Sequence, residues 1–370
     1  MISSSLLWAL TLYMSRAHCF ATSQYEEFFP CWSDMLVYIR DTNCTAQFNA
    51  FQNPDKYPGN YSDLWLPDCL MNNMDAMRLV EMSIVSILFG LLPSILTMIG
   101  PSPAEISLLA LRRPVLAFLL AIPMPAVRLA YNGLFQDHEL FQQMPIEVEN
   151  PIRTGFFASP PIWFKASLSA CEYTLAAGAV ANMAIQVYQL AFWAVTVSAI
   201  AIGSGSIPKT YAPFLWILLI GLVHVITFTA MKLRYKEVQG QQRHPKFLLR
   251  WVQNEITPCV YGDPIFFEPK KSSYAYQFVH YWAGMGIVIL FTYATIFLSS
   301  TIFISLGDAV TIMARFFFAS IVCRWVLSFE LHGMKEVRSR EDRNASSTND
   351  MLMNDVTTGK PQSFQSKGLD

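Results

Sequence analysis

The sequence predicts an all-α fold: a polytopic transmembrane helical bundle of about five spans, with seven as the alternative, and a small N-terminal ectodomain. Three observations predict it. Hydrophobic residues fill 53% of the 370 positions and charged ones only 14%, and mean hydropathy is +0.32, more apolar than an ordinary soluble fold. Several apolar stretches reach the roughly twenty residues that a helix rising about 1.5 Å per residue needs to cover about 30 Å of hydrocarbon. Charge is also divided by region although its net is −1: residues 22–78 hold eight acids and three bases, residues 232–278 eight bases and four acids.

Residues 1–21, MISSSLLWALTLYMSRAHCFA, contain an apolar run at 6–14 that is too short to span, then the small-x-small pattern Cys19-Phe20-Ala21. This is the pattern of a signal peptide. Its n-region offers only the α-amine as positive charge, so a retained signal anchor is the alternative. Both place residue 22 onward in the lumen or outside.

Residues 22–78 read as that lumenal or extracellular ectodomain. Asn43-Cys44-Thr45 and Asn60-Tyr61-Ser62 are glycosylation acceptors, and Cys31, Cys44 and Cys69 lie among turn-forming stretches such as Asn53-Pro54-Asp55. So short a segment buries little core, and a disulfide among these cysteines supplies the missing constraint. Three is an odd number, so one thiol stays free or pairs elsewhere.

Residues 79–332 form the transmembrane domain. Spans are expected at 79–100, in the run after Lys165, at 211–231 and at 279–306. A fifth, 309–329, contains Arg315 and Arg324. Each arginine costs roughly 2.5–3.5 kcal/mol at a helix centre, against roughly 0.3–0.6 kcal/mol returned by each large aliphatic or Phe residue. The segment inserts if those arginines find partners or reach the interface. Between Arg113 and Arg128 the apolar run is broken by Pro123 and Pro125 and extends only about 21 Å as helix, so it reads as dipping into the membrane. With five spans, Arg112, Arg113 and the bases of loop 232–278 share the cytoplasmic side with the tail, as the positive-inside rule requires. Residues 173–208 carry no charge and favour one long helix over a hairpin near Asn182, the feature that would help raise the count to seven. The tail, 333–370, is rich in Ser, Thr, Asn and Asp and is expected to be disordered and cytoplasmic.

At Leu92-Pro93-Ser94, at Ile99-Gly100-Pro101-Ser102-Pro103-Ala104-Glu105-Ile106 and at Leu111-Arg112-Arg113-Pro114, the chain resembles an uncharacterised fungal family of multi-pass integral membrane proteins. In that family a first span ends in a Gly-Pro-Ser-x-x-Glu turn followed by an Arg-Pro apolar run. The resemblance extends more loosely through residues 176–182 and the span bearing His224. It implies membrane placement and adds nothing on chemistry.

Ionisable and amide groups inside spans mark a polar pathway or an internal pair. The candidates are Glu81, Glu172, Asn182, His224, Arg315 and Arg324. Depth permits an ion pair between Glu172 and Arg324. His224 suits a proton relay, or more simply a hydrogen bond to a neighbouring helix. Ala166, Ala170, Thr174, Gly178, Asn182 and Gln186 repeat every four residues and suggest a face for helix packing. In the basic loop, Lys246-Phe247-Leu248-Leu249-Arg250-Trp251 suits anionic lipids of the inner leaflet.

Metal-ligand spacing, phosphate loops and nucleophile elbows are missing from the sequence, so neither a metal nor a cofactor is expected, and nothing favours nucleic acid. With no catalytic pairing at helical spacing, the chain reads as a non-enzymatic membrane protein of the secretory pathway or plasma membrane, receptor-like or scaffolding, with protein partners of unspecified kind. The alternative is a small-solute or ion transporter that uses the intramembrane polar residues.

Overall fold

The computed structural model describes residues 24–53, 65–124, 161–197, 209–238, 254–261, 266–270 and 273–357, with side chains as far as 331 except at 235–238, 260 and 266–269. The signal-peptide region, Asn60 and the stretch from Lys246 to Trp251 lie outside the described residues.

Three short helices, α1 (Ser33–Thr42), α2 (Thr45–Gln52) and α3 (Trp65–Asn72), form the N-terminal cap. Their core is small: Tyr25, Phe28, Trp32, Leu36, Ile39, Leu66 and Leu70. A disulfide joins Cys44 to Cys69, which leaves Cys31 as the free, exposed thiol of the three. Met82, Val195 and Phe303 of the bundle belong to the same apolar cluster, so the cap is seated on the helices rather than tethered to them. Polar contacts fix the seat. The Trp193 indole donates to Glu27 at 2.8 Å, Gln24 donates to the Ala194 carbonyl at 3.2 Å, and the Cys31 amide donates to Asp308 at 3.3 Å. Phe303 adopts a left-handed φ of 66°, which costs about 1–3 kcal/mol. Its fully buried ring packs edge-on against Phe28 at 6.3 Å and offsets that cost.

Helix α4 (Ala76–Ile99) leaves the cap and crosses the bundle. Two shorter helices follow, α5 (Pro103–Arg112) and α6 (Pro114–Ala121), with Arg113 alone between them. Next come α7 (Ile162–Phe192), strand β1 (Val195–Thr196), α8 (Ala212–Arg234), strands β2 (Tyr235–Val238) and β3 (Phe266–Pro269), α9 (Tyr274–Ser299), strand β4 (Thr301–Ile302) and α10 (Leu306–Thr357). Among the described residues, five helices are long and apolar enough to cross a membrane: α4, α7, α8, α9 and the Leu306–Leu331 part of α10. The chain is an integral membrane protein with an all-α bundle, as expected.

Two antiparallel strand pairs bracket the bundle. At the cap end β1 pairs with β4, so the exits of α7 and α9 meet there; at the other end β2 pairs with β3 between α8 and α9. The Glu81 carboxylate accepts from the Leu306 amide at 2.7 Å, which places the start of α10 beside the start of α4. The helices therefore alternate in direction, and an odd number of crossings puts the end of α10 away from the cap. Exposed Trp163, Tyr274, Tyr281 and Trp282 lie on the early turns of α7 and α9, at that far end, where an aromatic belt meets the headgroups. Helices α8 and α9 approach closely at Gly286, where an added Cβ would stand 3.2 Å from Val223.

The run from 99 to 128 does not supply a span among its described residues. Helices α5 and α6 extend only about 15 and 12 Å, and the bend is fixed at Arg113 with φ −124° and ψ 74°. Ser102 and Glu105 close a capping box, the Ser102 hydroxyl accepting from the Glu105 amide at 3.2 Å and the Ser102 amide donating to the Glu105 carboxylate at 2.7 Å. The Gly-Pro-Ser-x-x-Glu stretch is thus a helix start.

Three expectations need correction. Helix α7 runs unbroken through Asn182 as predicted, but ends at Phe192, well before the charge-free stretch does. Its packed face is Ser169, Glu172, Ala176, Ala179, Met183, Val187 and Leu190, whereas Ala170, Thr174 and Gly178 are exposed. Steps of four drift by about 40° each around a helix, while alternating threes and fours hold one side. Finally, the tail is not irregular from residue 333: α10 continues to Thr357. The expected disorder rested on a lack of core-forming residues; 334–357 contains neither Gly nor Pro, so the helix begun in the membrane meets no breaker there.

Candidate functional site

Arg113, an arginine in an apolar stretch, is fully buried. Nη1 lies 2.5 Å from Oε2 of Glu172 and 2.9 Å from Oε1 of Glu330. Nη2 donates to the Ser169 hydroxyl at 2.6 Å, and the guanidinium carbon lies 5.4 Å from the Tyr173 ring centre. Burial opposes its charge, but the carboxylates of Glu330 and Glu172 outweigh burial and hold the guanidinium pKa above its ordinary value.

A further carboxylate closes the arrangement. Oε1 of Glu255 accepts from the Val115 and Leu116 amides at 2.9 and 3.0 Å, which caps α6 at its positive end. The same oxygen accepts from the Tyr173 hydroxyl at 2.5 Å. Glu330 Oε2 accepts from the Cys259 amide at 3.1 Å. One buried cluster therefore ties α7, α10, the α5–α6 bend and the 254–261 segment together. Each ion here costs several kcal/mol to desolvate, and only dense pairing makes it tolerable. Cys259, buried against this cluster, has its thiol pKa pushed up by burial and by the nearby Glu330 carboxylate.

The expected Glu172–Arg324 pair is not formed. Arg324 Nη1 instead lies 2.5 Å from Oε2 of Glu105, the capping-box carboxylate, and Glu172 turns to Arg113. Depth suited both pairings, but Arg113 and Glu105 are the nearer partners, each within ion-pair distance. Arg315 Nε donates to the Asn182 side-chain oxygen and Nη1 to that of Gln189, both at 2.9 Å, so two sequence candidates, Asn182 and Arg315, are brought together across α7 and α10. Asn43 is exposed, with its amide donating to Asn73 at 2.7 Å.

His224 differs from every other candidate. It sits near the middle of α8, 9% exposed, and neither ring nitrogen has a hydrogen-bond partner among the described residues. The expected bond to a neighbouring helix is absent because α5 and α6, the elements facing it, present mainly apolar side chains there and leave a cavity of about 140 Å³.

Sequence reasoning missed Arg113, Ser169, Tyr173, Glu255 and Glu330 as a set. The available signal was an arginine preceding Pro114 inside an apolar stretch; Glu330 stands one residue past the expected end of its span. Among the described residues, no group of His, Cys, Asp and Glu is placed to hold a metal ion. No family model, curated protein or solved structure matches the chain.

Proposed function

We propose that this integral membrane protein is receptor-like or scaffolding, resides in the secretory pathway or plasma membrane with its cap outside, and works by binding rather than by catalysis. The observation that carries the reading is that Arg113, Arg315 and Arg324 are all consumed in contacts between segments of the bundle. Charges held this way fasten helices to one another, which supports a structural use of them over a solute route. What stays accessible is the disulfide-bonded cap with exposed Asn43, and its acidic surroundings opposite the basic 232–278 connector support an outward cap.

The transporter reading leans on His224, whose ring is buried and unpartnered. Reconstitution separates the two. With normal surface expression, His224→Ala and Glu172→Gln leave solute and ion flux unchanged in a receptor or scaffold, while replacing residues 22–78 removes partner association. Altered flux in either substitution contradicts the reading.

A further inference from the structure

Arg315 lies within the membrane span from Leu306 to Leu331, yet the two side chains it bonds, Asn182 and Gln189, are neutral. Among the described residues no carboxylate pairs with it, whereas Arg113 and Arg324 each meet at least one. An intramembrane cation is costly until a counter-charge or polar surroundings compensate it, and here the counter-charge is missing. The guanidinium is half-buried. Its Nη2 has no partner among the described residues and is not sealed inside the protein, so it opens to the outside of the bundle between α7 and α10. The surface beside it is made of small side chains. Thr174, Gly178 and Ala181 of α7 and Thr311 and Ala314 of α10 are exposed, with Gly178 and Thr311 one turn from Asn182 and Arg315. A Cβ at Gly178 would meet nothing within 4 Å.

We propose that this face receives a transmembrane helix of another protein, whose Asp or Glu side chain pairs with Arg315. The inference rests on the receptor or scaffold reading and names the class of partner. Small side chains let two helix backbones approach closely, and at that range, away from water, opposite charges attract strongly. Depth sets where the acid must be. The bonds to Asn182 and Gln189, about 15 and 5 Å inside the cap-side end of α7, hold the guanidinium between those levels. A carboxylate carried on a helix reaches that depth, whereas a lipid phosphate does so only by sinking below the headgroups. A second copy of this chain does not supply the acid. The carboxylates of the described spans, Glu81, Glu172, Asp308 and Glu330, are each bonded within the chain.

Energy transfer between the full chain and a fluorescent transmembrane peptide, in phosphatidylcholine nanodiscs at neutral pH, tests it. The probe is a Leu-Ala peptide of about 23 residues with one Asp about seven residues inside one end; its companions carry Asn or Leu there. The Asp peptide is expected to associate roughly tenfold more tightly than the Leu peptide, the worth of about one good interhelical polar contact, with Asn between them. Arg315→Met should bring Asp down to the Leu level, and Arg315→Lys should keep part of the preference. Gly178→Leu, which fills the open face, should weaken it with thermal unfolding unchanged. Equal association of the Asp and Leu peptides overturns the proposal, as does an Asp preference that survives in Arg315→Met. If that variant melts early, survival of the preference in Gly178→Leu overturns it in the same way. Replacing part of the phosphatidylcholine with phosphatidylglycerol should leave the preference in place; its abolition would assign Arg315 to a lipid phosphate instead. Failure here leaves the receptor or scaffold reading to its flux test, whose variants, His224→Ala and Glu172→Gln, change other residues.

Discussion

Glu330 meets Arg113 at 2.9 Å with neither side chain exposed, so the end of the last spanning helix is locked to the bend between α5 and α6. Removing Arg113 would leave Glu172 and Glu330 buried beside each other without their cation. We expect Arg113→Met to lower stability by about 3–5 kcal/mol, read as the shift in denaturant midpoint of purified protein. Adding Glu172→Gln and Glu330→Gln should recover much of the loss. A single substitution that costs under about 1 kcal/mol would mean the cluster is not the clamp described.

Arg324 and Glu105 form a more exposed pair than Arg113 and its carboxylates. Their pairing is still testable by exchange. Arg324→Glu should lower stability, and Glu105→Arg should restore part of it; part only, because the exchange also removes the capping box. Glu172→Arg should give no rescue. Rescue by Glu172→Arg and not by Glu105→Arg would reinstate the pairing that sequence depth suggested.

Length and hydropathy were sufficient to locate each span found among the described residues, because lipid imposes one solvent on a whole helix and the signal accumulates over about twenty residues. Partnership was not legible in the same way. Glu172 and Arg324 were both identifiable as costly, yet which cation meets which carboxylate depends on where Arg113 and Glu105 fall in the folded bundle, a tertiary fact without local periodicity. The Ala170–Thr174–Gly178 stripe misled for a related reason: small side chains permit packing but do not say which face is packed. His224 was legible as intramembrane, but its lack of a partner depended on small residues in two other helices.

Cys44 and Cys69 close a loop of sequence separation 25, in a cap whose apolar core is small. Cys44→Ser or Cys69→Ser should destabilise the cap by about 2–4 kcal/mol, while Cys31→Ser, at an exposed free thiol, should change little. Hydrogen exchange of the 24–53 amides provides the measurement. Equal effects at all three positions would contradict the pairing.

Cys259 should resist alkylation in the native state. Its thiol pKa lies well above the usual value because of burial and Glu330, so the folded chain keeps a proton that the unfolded chain releases at about pH 8.5. The folded state therefore loses stability as pH rises past the unfolded value and is unaffected by this group below it. Maleimide mass mapping from about pH 7 to 9 should label exposed Cys31 throughout and Cys259 only after denaturation. Native labelling of Cys259 that increases across that window would refute its burial against Glu330.

The five spans found among the described residues put the cap and the start of the 232–278 connector on opposite faces of the membrane. Single cysteines at Asn43 and Gly240, in a chain otherwise free of exposed thiols, can be probed in intact cells with a membrane-impermeant maleimide. Five crossings together with the proposed outward cap predict labelling at 43 and none at 240 until the membrane is permeabilised. Labelling of both before permeabilisation would contradict them.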